Sequence, residues 1–292
     1  MTTFKLGILT PERERMRAYK PIAVDHAVEQ AIVGVRWRHK PTDEQFSAAV
    51  ESASNIAEQF GLPGKLQLDP LSLLMSRQHI SVGFDGLPEA LPGFVFQQVY
   101  PDGTMAQEMT LERGAVTFRT RNYRRWSDIQ EIIQGAIGPI TELLCEGDSN
   151  RVSVIEFRCI DRFVSDTDHV PSLSELIRDD TKLVPDHLKT LANYLHCHLG
   201  WFEEISDKER ILYNLNVTVQ TDDRSGKPSA SILQVISRQL GAGAEMKEGL
   251  ADLLVSTFDE LHARDKGLLF ELLDEGLSEA INLKGESEAV AL

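Results

Sequence analysis

The residues best suited to chemistry in this chain are its arginines. Arg36 and Arg38 close one apolar run, Arg119 and Arg121 close another, and Arg158 and Arg162 lie in a third. If these runs are β-strands, alternate residues share a face, so the members of each pair point the same way. Arg113, Arg119, Arg121, Arg124 and Arg125 fall within thirteen positions that hold no acidic residue, in a chain whose formal net charge is −15. Planar guanidinium groups gathered from separate strands suit a phosphate, a carboxylate or an acidic partner segment. Arg36, Arg38, Arg119, Arg121, Arg158 and Arg162 are therefore the candidate anion-binding residues. The competing account pairs them across strands with Glu29, Glu108, Glu112 and Glu156. Tyr123 and Trp126 follow at helical spacing and could stack on a ligand ring, with core packing as the alternative.

Metal chemistry has three candidate ligands, His187, His196 and His198, with Cys197 between the last two. The surrounding HLKTLANYLHCHLGWF carries Leu188, Leu191, Leu195 and Leu199 at the spacing of a helix face. A helix turns residues two apart to different sides, so the spacing predicts core or interface histidines in place of a zinc site. On a strand the two would converge. Asp166, Asp168 and His169 could hold a hard cation but read equally well as a solvated loop. Nucleotide and nucleophile signatures are incomplete. Thr221 and Pro228 stand where a phosphate loop ending in Gly226-Lys227 needs a glycine and a hydroxyl residue. Met246 replaces the third glycine of a dinucleotide fingerprint at Gly241-Ala242-Gly243. Tyr100 stands where Pro101-Asp102-Gly103-Thr104 would need an aspartate nucleophile. Gly147-Asp148-Ser149 lacks the elbow that exposes a serine hydroxyl.

The elements that must position these residues follow from periodicity and turn chemistry. Ala27–Arg38 predicts a strand closed by Pro41, and Thr42 opens a helix through a capping box with Gln45. Residues 62–93 carry four prolines and predict irregular chain with one strand at 79–84. A three-strand meander follows, ending in AVTFRTR. The next helix runs to Cys145, with a kink expected at Gly138-Pro139. Arg151–Val164 reads as the central strand. Helices are expected near 173–178 and over 185–202, then a hairpin of ILYNLNVTVQ and SASILQVISRQ. The chain closes in a helical region from Met246 to Asn282. The order predicts an α+β fold of antiparallel sheets with helices packed on one face. Its second half echoes the first, which suggests an arm over 1–20 and two similar halves, 21–150 and 151–292.

Length and composition bound the function. The chain has 292 residues, 42% of them hydrophobic, which is enough for a sizeable core. Its negative charge disfavours binding to nucleic acid and to anionic lipid. Three scattered cysteines, the absence of a signal-peptide core and the absence of a spanning apolar stretch predict a cytoplasmic protein. Acidic residues crowd the C-terminal region, beside a leucine stripe. Leu253, Phe258, Leu261, Leu268 and Leu272 are the candidate partner-binding residues, on a helix that could dock on a basic protein. No cofactor is expected.

Several segments resemble a sporadically distributed bacterial family of uncharacterised proteins of about this length. They are Pro21-Ile22 with Ala27–Ile32, Asp102-Gly103, Tyr123-x-x-Trp126, Arg158-Cys159-Ile160-Asp161-Arg162, and Leu261-His262 with Phe270. In that family the central strand tends to read Arg-Tyr-Ile-Asn-Arg; here Cys159 and Asp161 replace the aromatic and the amide. The resemblance implies no set reaction or cofactor. Patchy occurrence implies an accessory role, such as defence or antitoxin-like activity. The leading expectation is thus a non-enzymatic binding protein acting through protein–protein contacts. The second is an enzyme or sensor that clamps a phosphorylated or nucleotide-like ligand with its arginines, with a histidine as acid–base group or metal ligand.

Overall fold

The computed structural model describes residues 18–68, 93–148, 151–192, 194–223, 225–242 and 249–283. They form one antiparallel sheet with helices packed on one of its faces, an α+β fold. Its central pair is β2 (Val28–Trp37) and β7 (Val152–Ser165). On β7, Ile155, Phe157, Cys159, Asp161 and Phe163 are buried, and they alternate with half-buried Glu156, Arg158, Ile160 and Arg162. This alternation is what a sheet covered on one side requires.

The sheet grows outward in the same order on both sides of the central pair. Beyond β2 lie β6 (Ala115–Thr120), β5 (Met105–Glu112), β4 (Gly93–Val99) and β3 (Gly64–Leu68). Beyond β7 lie β10 (Pro228–Leu240), β9 (Glu209–Thr221) and β8 (Leu195–Ser206). In each half the first strand is central, and a meander returns to pair with it through its last strand. The two halves therefore share one sheet and one hydrophobic core. A short β1 (Tyr19–Pro21) pairs with β7, and Tyr19 is fully buried, so the segment read as an arm ends inside the fold.

Helix α1 (Asp43–Gln59) starts at the expected capping box, Thr42 with Gln45, and buries Phe46, Ala49, Ala53 and Ala57. Helix α2 (Trp126–Ile132) passes through one π-helical turn (Ile133–Ile137) into α3 (Gly138–Cys145). The wider turn lets the chain continue through Gly138-Pro139, where proline cannot donate a hydrogen bond. Gly135 faces Phe60 so closely that a Cβ there would stand 2.6 Å from the ring. After the four-residue α4 (Asp186–Lys189), the long α5 (Leu250–Leu272) and the short α6 (Glu275–Ala280) complete the covering layer. No described helix is long and apolar enough to cross a membrane.

Three expectations are corrected. The helix read over 185–202 is only α4, and the rest of that run is the edge strand β8. Its leucines mimic helical spacing, but pairing with β9 selects the two-residue period of Leu195, Cys197, Leu199 and Trp201. The helix near 173–178 is a single 3₁₀ turn at Leu173–Glu175. The irregular region after residue 62 contains β3, which pairs with β4. The strand read at 79–84 lies outside the described residues.

Candidate functional site

Strand register places the arginines. Ile32 of β2 pairs with Arg119 on one side and Arg158 on the other, so the two arginines flank it in one row across three strands. Arg36 and Arg162 share that face, which is opposite the helices. The arginines are thus co-facial, but most are already engaged. Arg119 pairs with Glu108 at 2.9 Å, and Arg158 hydrogen-bonds Glu156 at 2.6 Å. Arg162 lies between Glu29 at 3.0 Å and Asp222 at 2.8 Å. Arg36 is also partnered. Arg38 donates to the carbonyls of Val152 and Leu240, tying the ends of β7 and β10. Arg121 differs: it is exposed and has no side-chain partner among the described residues.

One irregularity shapes the open face around Arg162. The register of β2 against β7 slips between Val28 and Gln30, so Glu29 is an extra residue in the ladder. Strict alternation would send Glu29 to the core side with Ala31 and Val33. The bulge re-aims it towards Arg162 and leaves Gln30 on the open face opposite Ile160. Gln30, Ile160, Arg162, Ser231, Leu233, Asn216, Thr218 and His196 line an open groove of about 470 Å³, with Glu29, Gln220 and Arg121 completing it. Several donors buried behind that lining lack acceptors. Gln30 is 8% exposed, and its Nε2 has no hydrogen-bond partner. Ser231 Oγ is buried and unpartnered. Arg162 Nε stands close to Glu29 but off the line of its N–H, and so makes no hydrogen bond.

The histidines belong partly to this surface. His196 and His198 lie two apart on β8, so they face the same way after all. Each is turned to β9: His196 Nδ1 lies 2.9 Å from Thr218 Oγ1, and His198 Nε2 lies 3.4 Å from Asn214 Oδ1. Gly200 makes room for that amide, because a Cβ there would stand 2.8 Å from Asn214 Oδ1. His187 sits apart on α4. Among the described residues no group of three His, Cys, Asp or Glu side chains could hold a metal.

Beneath the other face, burial has displaced several titratable groups. Asp161 of β7 is 1% exposed and Asp265 of α5 is 4% exposed. Desolvation pushes the Asp161 carboxyl up to about 7, partly offset by a hydrogen bond from the Cys159 thiol at 3.6 Å. Burial and the neighbouring Asp161 charge also raise Asp265, whose Oδ1 has no hydrogen-bond partner. His262 of α5 stacks on Trp126 with ring centroids 4.0 Å apart, and burial lowers its pKa to about 4. Trp126 Nε1 donates to Asp259 at 2.7 Å and its ring meets Phe157 edge-on. Tyr123 packs against His26. Tyr123 and Trp126 are therefore committed to the seam between helices and sheet, not offered as a stacking platform. This seam is a cluster of perturbed groups, which is a common mark of a site. Its carboxyls and thiol are sealed in the core.

The leucine stripe is not a docking surface. Leu253, Phe258, Leu261, Leu268 and Leu272 are all buried within this chain. Two ionic contacts fasten α5 to the outer strands: Arg264 donates to Glu203 of β8 at 2.6 Å, and Arg238 of β10, which also donates to Glu209 of β9 at 2.7 Å, donates to Glu260 of α5 at 3.5 Å. The groove was hidden from sequence reasoning because it depends on a bulge and on the register of five strands, β2, β7, β10, β9 and β8. Among its lining, Arg121, Arg162 and His196 were singled out as candidate ligand-binding residues and Glu29 as an ion-pair partner. No protein-family model matches the chain, and no curated protein matches it.

Proposed function

We propose that this chain is a non-enzymatic binding protein, an accessory or antitoxin-like subunit of a bacterial multi-protein system, and that the open face of its sheet is the working surface. The observation that supports this reading is a broad sheet face on which no described helix packs, and on which Arg119, Arg158 and Arg162 are each paired with a glutamate. Six adjacent strands, β6 to β8, span about 24 Å at the usual strand spacing, and ten residues run about 33 Å. Their product, roughly 800 Å², equals one side of a standard protein–protein interface. Paired arginines and glutamates hold their geometry before binding, which lowers the ordering cost of association. The displaced carboxyls and thiol support no competing catalytic reading, since Asp161 and Asp265 are closed off from the groove side of the sheet.

Affinity capture from the native host with amine and carboxyl cross-linking tests the proposal. The expected result is a reproducible protein partner whose cross-links fall on open-face residues, with capture reduced by the double charge inversion Arg119→Glu and Arg158→Glu. Capture of no reproducible partner, or cross-links confined to α5 and α6, would contradict it.

A further inference from the structure

We infer that β8 is the seam of a homodimer: two copies of this chain pair their β8 strands antiparallel about a two-fold axis through Gly200, joining two sheets into one. The inference goes beyond the reading of the open face and does not depend on it. Its first support is an unguarded edge. β8 is the outermost strand at its end of the sheet and pairs only with β9 among the described residues. In an antiparallel strand, alternate residues turn their N–H and C=O groups away from the existing neighbour, so the far side offers a second row of donors and acceptors. Edges are commonly blunted by shortness, by proline or by lysine. β3, at the opposite end of the sheet, has five residues and carries Lys65. β8 has twelve, with no proline, lysine or arginine among them. Three exposed large apolar side chains, Tyr194, Phe202 and Ile205, lie on β8 or directly before it.

The second support is self-complementarity. A two-fold axis normal to the sheet keeps each side chain on its own face, so the axis must pass between a residue and its own copy. With Gly200 at the axis, His196 faces Glu204 of the second copy and Leu199 faces Trp201 of the second copy, each twice by symmetry. Both halves of the ionic pair are available. His196 turns Nδ1 to Thr218, and its Nε2 has no partner among the described residues. Glu204 is exposed and makes no ion pair among the described residues, whereas Glu203 beside it is held by Arg264 and Tyr213. Trp201 is fixed by stacking on Tyr213, with ring centroids 4.9 Å apart, and like Leu199 it is half-buried in the single chain. Opposite charges and apolar side chains set across from one another are the contacts that stabilise adjoining strands. Moving the axis by one residue opposes Glu203 to a leucine, Leu195 in one direction and Leu199 in the other. Gly200 adds no side chain at the axis. The stretch 196–204 of the two copies exchanges about eight to ten main-chain hydrogen bonds, the number a standard interface carries. The two open faces then lie side by side on one continuous sheet.

Sedimentation velocity of the full chain across a concentration series tests the pairing. The expected result is a concentration-dependent species of twice the 32.7 kDa chain mass. Glu204→Arg, on an exposed side chain, opposes a cation to His196 at both ends of the seam. It should weaken the dimer by about tenfold and leave the circular dichroism spectrum unchanged. His196→Glu opposes two carboxylates and should weaken the dimer to a similar degree. The two substitutions in one chain exchange the charges and should restore the dimer, as coupled neighbours do. Amide hydrogen exchange in β8 should slow as the dimer forms, with β3 unaffected. A chain that stays monomeric at every concentration, a dimer indifferent to both single substitutions, or a dimer that the double substitution fails to recover would each overturn the inference.

Discussion

Two aspartates placed face to face in a protein interior must contend for one proton. Asp161 and Asp265 do so at the seam between β7 and α5, and both carboxyls titrate above their ordinary value because burial disfavours the charge. Folding then favours the protonated forms. The contribution of Asp161 to stability is present below its unfolded value, near 4, and is lost as pH rises through about 7. His262 acts in the opposite sense. Its folded pKa of about 4 makes the neutral ring the favoured form, so its contribution is present above 6.5 and is lost as pH falls through about 4. Above pH 6.5 only the carboxyls act. The stability of Asp161→Asn should therefore gain on that of the wild type as pH rises from about 4 to about 7, and Asp161→Asn should be the more stable protein at pH 8. Parallel curves for the two proteins would refute this assignment. Asp161 was legible in sequence only as a residue of the central strand. That it would face a second carboxylate from residue 265 was not legible, since nothing local links the two.

Local chemistry sufficed for some elements and not for others. The capping box at Thr42, the turn at Asp102-Gly103 and the central strand over 151–164 announced themselves, because each is decided by neighbours in the chain. Strand β8 was read as helix because its leucines satisfy both periods, and long-range pairing with β9 settled the matter. The same ambiguity misplaced the function of α5. An amphipathic stripe of leucines is equally a core face or a docking face, and only the presence of a sheet beneath it decides. Its burial makes a quantitative prediction. Leu261→Ala should cost about 2–5 kcal/mol of stability, as a cavity in a packed core does. Phe202→Ser, on the exposed side of β8, should cost less than about 1 kcal/mol, chiefly through the lost Arg210 contact. Chemical denaturation distinguishes these outcomes, and near-equal costs would place the leucine stripe at the surface instead of in the core.

At the scale of the molecule, the charge layout acquires a structural meaning. Of the 15 net negative charges, 12 fall after residue 162, where 12 basic residues face 24 acidic ones. Acidic side chains on the outer surface of the helices and turns, such as Asp252, Glu275 and Glu279, are exposed, while Glu29, Glu108 and Glu156 on the open sheet face each meet an arginine. One side of the protein thus repels anions and the other presents a nearly balanced polar surface. Antiparallel sheet, one covered face and the repeat of connectivity were all legible in the order of strands and helices. The single shared sheet was not, because the join between β2 and β7 spans more than a hundred residues. Carboxyl footprinting of the complex with its captured partner tests the central claim most directly. The open-face reading predicts that Glu29, Glu108 and Glu156 lose reactivity on complex formation while Asp252, Glu275 and Glu279 keep theirs. Protection of the helix-side carboxylates with the open face unchanged would contradict it.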